Sequence, residues 1–148
     1  MAFRFTLDSV LRLRCSMEHQ QELLLQTANN KVADIHRKIN SLDRIAGHLR
    51  ERREREMSAT VAASQLQFEQ ICDSVLAEYR RQLESDLFQA RENCARQAEA
   101  FRNAHRDREI LDTLRQNQFR DYMQNQDRRL QRELDDLLLT FREGRRRG

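Results

Sequence analysis

The chain has 148 residues, including no proline, no tryptophan and only three glycines, and 34% of its residues are charged. Ala, Glu, Lys, Leu and Arg supply about half of it, a composition typical of coiled coils and long helices, so a compact enzyme or a strand-based fold is not expected. Its 27 basic and 24 acidic residues alternate in sign rather than forming a basic stripe, so nucleic acid is not an expected partner.

The first predicted element is a long amphipathic helix over about residues 6–57, with Thr6 as its N-cap. Its apolar residues recur three and four positions apart, as in a coiled coil, and steps of four on both sides of Ala28 predict a stutter. The expected seam contains Val10, Leu13, Met17, Leu24, Ala28, Val32, Ile35, Ile39, Leu42, Ala46 and Leu49.

A charge-free stretch predicts a single turn with a short segment over residues 58–66, because small and β-branched residues replace the charged ones there. A second helix is expected over about residues 67–143, followed by a basic tail at 144–148, with Gly144 just beyond the helix end. Its expected seam contains Phe68, Ile71, Val75, Tyr79, Leu83, Leu87, Ala90, Cys94, Phe101, Ala104, Leu111, Leu114 and Tyr122, and continues weakly through Leu130 to Phe141.

Two helices of this length cannot each bury an apolar stripe alone, so we expect them to pair. The predicted fold is all-α: one domain over residues 1–148, formed by an elongated antiparallel two-helix coiled-coil hairpin. The second helix exceeds the first by about 25 residues, so its end has no partner within the chain. The apolar residues of that end are a candidate partner stripe, with a frayed tail as the alternative: Leu134, Leu137, Leu138 and Phe141.

Around the predicted turn there are more apolar residues than a two-helix seam can bury. Either a short local helix folds back over them, or they form a patch that docks on another protein. The sequence leaves both interpretations open.

No sequence feature predicts a cofactor or a metal ion. Gly47 is the only glycine before Gly144, so a phosphate-binding loop is not expected. Cys15 and His19 share a helix face and His105 is expected at a similar height, but no fourth zinc ligand is evident. No secretory signal and no membrane-spanning run of apolar residues is recognised, so the predicted compartment is the cytoplasm, without direct membrane insertion.

Three segments resemble those of the flagellar type III export protein FliJ family. Phe3–Arg14 resembles its opening, in which Phe-x-Phe-x-Leu precedes Val-Leu-x-x-Arg. Arg106–Gln118, with Tyr122 after it, resembles the second family block, and Glu133–Asp136 resembles an acidic cluster near the C-terminus of the family.

This resemblance implies a non-enzymatic component of flagellar protein export, similar to the antiparallel coiled coil of the rotary-ATPase γ subunit. Such a protein links the export ATPase ring to the membrane protein of the export gate, at the cytoplasmic face of the inner membrane, and handles export chaperones. The termini then meet the ATPase and the turn end meets the gate. The positions that match the family's gate contact are Leu42, Ile45, Leu49, Phe68, Cys72, Val75 and Tyr79, of which Ile45, Leu49 and Cys72 depart from larger residues in some members.

Two alternatives to a flagellar stalk remain open from the sequence. One is the equivalent stalk of a virulence-type type III secretion system. The other is a self-associating scaffold in which the seam pairs chains rather than the two arms of one chain.

Overall fold

The structure is a computed structural model that describes residues 2–57 and 62–148. These residues form two helices, α1 (Asp8–Glu56) and α2 (Ala63–Arg146), and contain no strand. The all-α prediction is therefore confirmed, and α1 packs against α2 as in a helical hairpin. The chain divides into a terminal unit, Met1–Glu18 with Asn103–Gly148, and a central unit, His19–Arg102.

In the central unit, α1 and α2 run antiparallel. The thiol of Cys94 lies 2.8 Å from Oδ1 of Asn29, and further along α1 the imidazole of His36 lies 3.1 Å from the guanidinium of Arg91. The buried core contains Ile35, Ile39, Leu42, Leu83 and Ala90, with Val32, Leu76 and Leu87 packed against it. These eight residues were all expected near the seam except Leu76, so the centre of the predicted pairing is correct.

The N-terminal half of the predicted α1 seam is wrong. Leu13, Met17 and Leu24 are exposed, and the partly buried positions are instead the polar residues Arg14, Glu18 and Gln21, followed by Leu25. With these positions the spacing of three and four continues from Leu11 to Leu42 without the predicted stutter at Ala28. Arg14 and Glu18 occupy the seam there because charged or polar partners face them on α2: Asp107 for Arg14, and His105 and Arg108 for Glu18.

In the terminal unit, the segment before α1 packs against α2. The ring of Phe3 lies 5.2 Å from that of Phe119 and 5.6 Å from that of Tyr122, and Phe5 is buried. The first helical hydrogen bond joins the Leu11 amide to the Leu7 carbonyl at 2.9 Å. The helix therefore begins at Asp8 rather than residue 6, because aromatic packing holds the preceding residues outside it, and Thr6 is not the N-cap.

The other helix ends also differ from prediction. Residues 58–61 of the predicted turn lie outside the described residues. Residues 63–66 belong to α2, and the amides of Gln65 and Leu66 near its start donate to the Ala62 carbonyl. At its other end α2 continues through Gly144 to Arg146. Neither Gly144 nor any other glycine of the described residues has a positive φ, so Gly144 does not end the helix as predicted.

Beyond the paired part of α2, every residue from Asp127 to Gly148 is exposed. This segment is a single helix up to Arg146. Within the described residues, neither helix contains a stretch that is apolar enough for its length to cross a membrane.

The register of the seam predicts a contrast between two substitutions in α1. Ile39→Ala removes a buried side chain and is expected to lower the free energy of unfolding by about 2–3 kcal/mol. Leu24→Ala, at an exposed position, is expected to change it by less than about 0.5 kcal/mol. Urea unfolding followed by circular dichroism measures both, and equal losses would contradict this register.

Candidate functional site

Ion pairs join the two helices along one side of the central unit, close to the end of α1. The guanidinium of Arg53 donates to both carboxylate oxygens of Asp73, at 2.9 and 3.0 Å, and its Nε lies 3.0 Å from Glu69. Further from the end of α1, Arg80 contacts Asp43. We call this side, defined by Asp43, Asp73 and Arg80 together with Arg53, the ionic face.

The Arg53–Asp73 pair shifts the pKa of both groups. The hydrogen bond from Arg53 lowers the pKa of Asp73 below its usual value, although desolvation acts in the opposite direction. The same hydrogen bond raises the pKa of Arg53. Both groups therefore stay charged at neutral pH, and the two-pronged contact fixes the register of α1 against α2.

The opposite side of the same stretch exposes apolar side chains. At 100° per residue, Ile45 and Asp43 lie on opposite sides of the α1 seam, as do Val75 and Asp73 on α2. Because the contacts Asp43–Arg80 and Arg53–Asp73 place the charged sides together, the apolar sides also lie together. We call this surface the apolar face, and it contains Ile45, Leu49, Phe68, Ile71, Cys72, Val75 and Tyr79.

The apolar face is mostly open to solvent. Phe68 is 67% exposed, Val75 62% and Tyr79 50%, whereas Leu49 and Cys72 are more covered. Leu49, Phe68 and Cys72 line a shallow depression of about 170 Å³, which is rimmed by polar side chains such as Arg52 and Glu56. Such a surface suits the insertion of an apolar side chain from another protein, with the polar rim excluding water.

The structure thus brings six of the seven residues predicted as a gate contact to one side of the central unit. The exception is Leu42, which is 7% exposed and belongs to the core because it faces α2 in the seam. The prediction that the α2 seam contains Phe68, Ile71, Val75 and Tyr79 is wrong. In this stretch α2 faces α1 through Glu69, Cys72 and Leu76 instead. The predicted gate contact did not include Ile71. The sequence signal that could have added it was the excess of apolar residues around the predicted turn.

The predicted C-terminal stripe is exposed throughout. Leu134, Leu137, Leu138 and Phe141 are 54–73% exposed and share one side of α2. Leu139 is exposed as well, but it points to the opposite side of the helix. Leu137 and Phe141 line a depression of about 470 Å³ with Thr140, Gly144 and Arg145. Because this depression is wide open, the stripe suits a partner that lies along it, such as another helix.

A polar cluster joins α1 to α2 in the terminal unit. One carboxylate oxygen of Glu18 lies 3.0 Å from Nδ1 of His105, and the other accepts a hydrogen bond from Arg108. Burial alone would raise the pKa of Glu18, but the hydrogen bonds from His105 and Arg108 outweigh it, so its pKa is lowered. The Glu18 hydrogen bond also raises the pKa of Arg108.

The residues weighed as zinc ligands do not form a common site. Within the terminal unit, His105 contacts Glu18, on the stretch of α1 that carries Cys15. His19 is exposed and pairs with Glu22 at 3.6 Å. In the part of the chain that the structure describes, no three His, Cys, Asp or Glu side chains are arranged to hold a metal ion.

With this geometry established, comparison with known proteins decides the family. The family model described as "Flagellar FliJ protein" matches residues 3–147. The chain belongs to the FliJ family. This FliJ-family chain therefore has a role in flagellar protein export, in a family whose members are non-enzymatic export components. No curated protein and no solved structure matches the chain.

The lowered pKa of Glu18 predicts a pH-dependent difference between the wild type and Glu18→Gln. A lowered carboxyl pKa stabilises the fold above the unfolded pKa, near 4.5, and this stabilisation is lost as the pH falls through the folded pKa. Glu18→Gln is therefore expected to melt below the wild type at pH 7, with a gap that closes towards pH 3. Thermal melts by circular dichroism test this, and a gap independent of pH would contradict it.

Proposed function

We propose that this FliJ-family chain is a stalk and adaptor that links the flagellar export ATPase ring to the cytoplasmic domain of the export gate protein. The observation that carries the proposal is the apolar face, which the helix pairing leaves uncovered while ion pairs hold the other side together. In a protein of an export family, such an exposed apolar surface favours contact with another protein. Its place of action is then the cytoplasmic face of the inner membrane.

The apolar face is proposed as the contact for the gate protein. Phe68, Val75 and Tyr79 are exposed and lie one or two turns apart on the same side of α2. Tyrosine is among the side chains that supply much of the energy of protein interfaces, and Phe68 and Val75 add apolar area beside it. The polar rim provided by Arg52 and Glu56 fits the usual anatomy of such an interface. Leu42 is not part of this contact surface because it is buried.

The C-terminal stripe is proposed as the contact for the export ATPase ring. It lies on a single helix with no covering segment, so it can enter a groove or a ring without any rearrangement of the paired helices. Export chaperones are proposed as further partners, on the strength of the family alone.

Substitutions in the apolar face are expected to separate binding from folding. Phe68→Ala and Val75→Ala together should weaken binding to the gate protein's cytoplasmic domain by about tenfold or more, because both side chains would be buried in the complex. Helicity and the melting temperature should stay near the wild-type values, since neither residue is in the core. Isothermal titration calorimetry and circular dichroism measure these quantities.

The matched control is Phe88→Ala on the same helix. Phe88 is 64% exposed but lies outside the apolar face, so its removal should leave gate binding unchanged. Equal losses from Phe88→Ala and Phe68→Ala would contradict the assigned face. Unchanged binding in the double variant would refute the gate contact itself.

A further inference from the structure

The C-terminal stripe cannot be covered by an extension of the pairing within the terminal unit. There, α2 faces α1 through partly buried residues that include Arg108, Leu111 and Tyr122. If the seam with α1 continued beyond Tyr122 in steps of seven residues, it would reach Arg129 and Asp136, which are charged. Leu137 of the stripe lies one position after Asp136, which is about 100° further around the helix. A helix that covers the stripe therefore approaches from another direction than α1.

The spacing of the stripe indicates that its occupant is a helix. Leu130, which precedes the stripe, and then Leu134, Leu137 and Phe141 within it follow one another at steps of four, three and four, which is the spacing of a coiled-coil seam. All four side chains are more than half exposed. The resulting stripe is narrow, as expected for helix pairing rather than for a helix that lies in a membrane surface.

The charges beside the stripe are self-complementary. Glu133 and Arg147 lie on the same flank of the stripe, two seven-residue repeats apart. The other charged residues near its start, Arg128, Arg129, Arg132, Asp135 and Asp136, lie further from the seam. Two parallel copies would keep Glu133 of one helix about 20 Å from Arg147 of the other. Two antiparallel copies place Glu133 of each beside Arg147 of the other.

We propose that the C-terminal stripe pairs with the same stripe of a second copy of this chain, in an antiparallel and symmetric dimer. In the register that fits the spacing, Leu137 packs against Phe141 of the second copy, and Leu134 packs against its Gly144 backbone. Glu133 then lies on the flank beside Arg147 of the second copy, and the two Leu138 side chains meet across the symmetry axis. The hairpin within each copy remains intact.

This dimer is weak, because four apolar side chains from each copy bury less than the roughly 1,200–2,000 Å² of a standard stable interface. We therefore expect dissociation at low micromolar concentration and a dimer at a few hundred micromolar. The proposal concerns the isolated chain, so it does not depend on the ATPase contact. If both contacts form, they use the same stripe and exclude one another.

Sedimentation equilibrium of the full chain tests the proposal. The weight-average mass should rise from the monomer value of 17.8 kDa towards twice that value as the concentration increases. Leu137→Ser should weaken the dimer by about tenfold or more. Leu139→Ser, the same substitution on the opposite side of the same helix segment, should leave it unchanged. A monomer at all concentrations, or equal effects of the two variants, would overturn the proposal.

Charge reversal tests the antiparallel register. Glu133→Arg and Arg147→Glu should each weaken self-association by about threefold to tenfold, because each creates two like-charged pairs. An equimolar mixture of the two variants should regain the wild-type affinity, as should the chain that carries both substitutions. A mixture that associates no better than its components would overturn this register.

Co-sedimentation with vesicles of anionic phospholipid separates the dimer from a lipid contact. The wild-type chain is expected to stay in the supernatant. A chain that remains monomeric in sedimentation equilibrium, and that pellets with the vesicles through Leu137, would show that the stripe faces a membrane and would refute the dimer.

Discussion

The pairing of α1 with α2 depends on a seam of side chains that recur three and four residues apart. Two helices can bury only one such stripe each, so every apolar residue outside the seam stays at the surface. In the central unit the seam closes over Ile35, Ile39 and Leu83. The apolar side chains near the end of α1, the start of α2 and the end of α2 are more numerous than this seam can bury. Both candidate interaction surfaces follow from this limit.

Apolar contacts and charged contacts have different roles along the seam. The central unit has a buried cluster of aliphatic side chains, whereas Glu18 of the terminal unit enters the seam with His105 and Arg108 as its partners. A charged residue in the seam contributes less stability than a leucine, but it is compatible with fewer alternative registers of the two helices. Near the end of α1, the bidentate contact between Arg53 and Asp73 likewise favours one register of α1 against α2.

The sequence was sufficient to predict the all-α fold, the antiparallel pairing and the unpartnered end of the second helix, because these depend on composition and on periodicity over many residues. It was insufficient to assign the seam where polar residues occupy it. Leu13 and Met17 are more hydrophobic than Arg14 and Glu18, yet the latter face α2, and only the positions of Asp107, His105 and Arg108 explain this. Likewise, Phe68 and Val75 lie outside because ion pairs set the rotation of α2, which a single-helix pattern cannot reveal.

The separation of the ionic face from the apolar face has a consequence for how this protein can change over evolution. The ion pairs and the buried core hold the helices together without the apolar face. Replacement of Phe68, Val75 or Tyr79 therefore costs little folding free energy. The contact surface proposed there can therefore change together with its partner, one residue at a time, while the paired helices stay the same. Leu42 and Leu83, by contrast, are constrained by packing whatever the partner becomes.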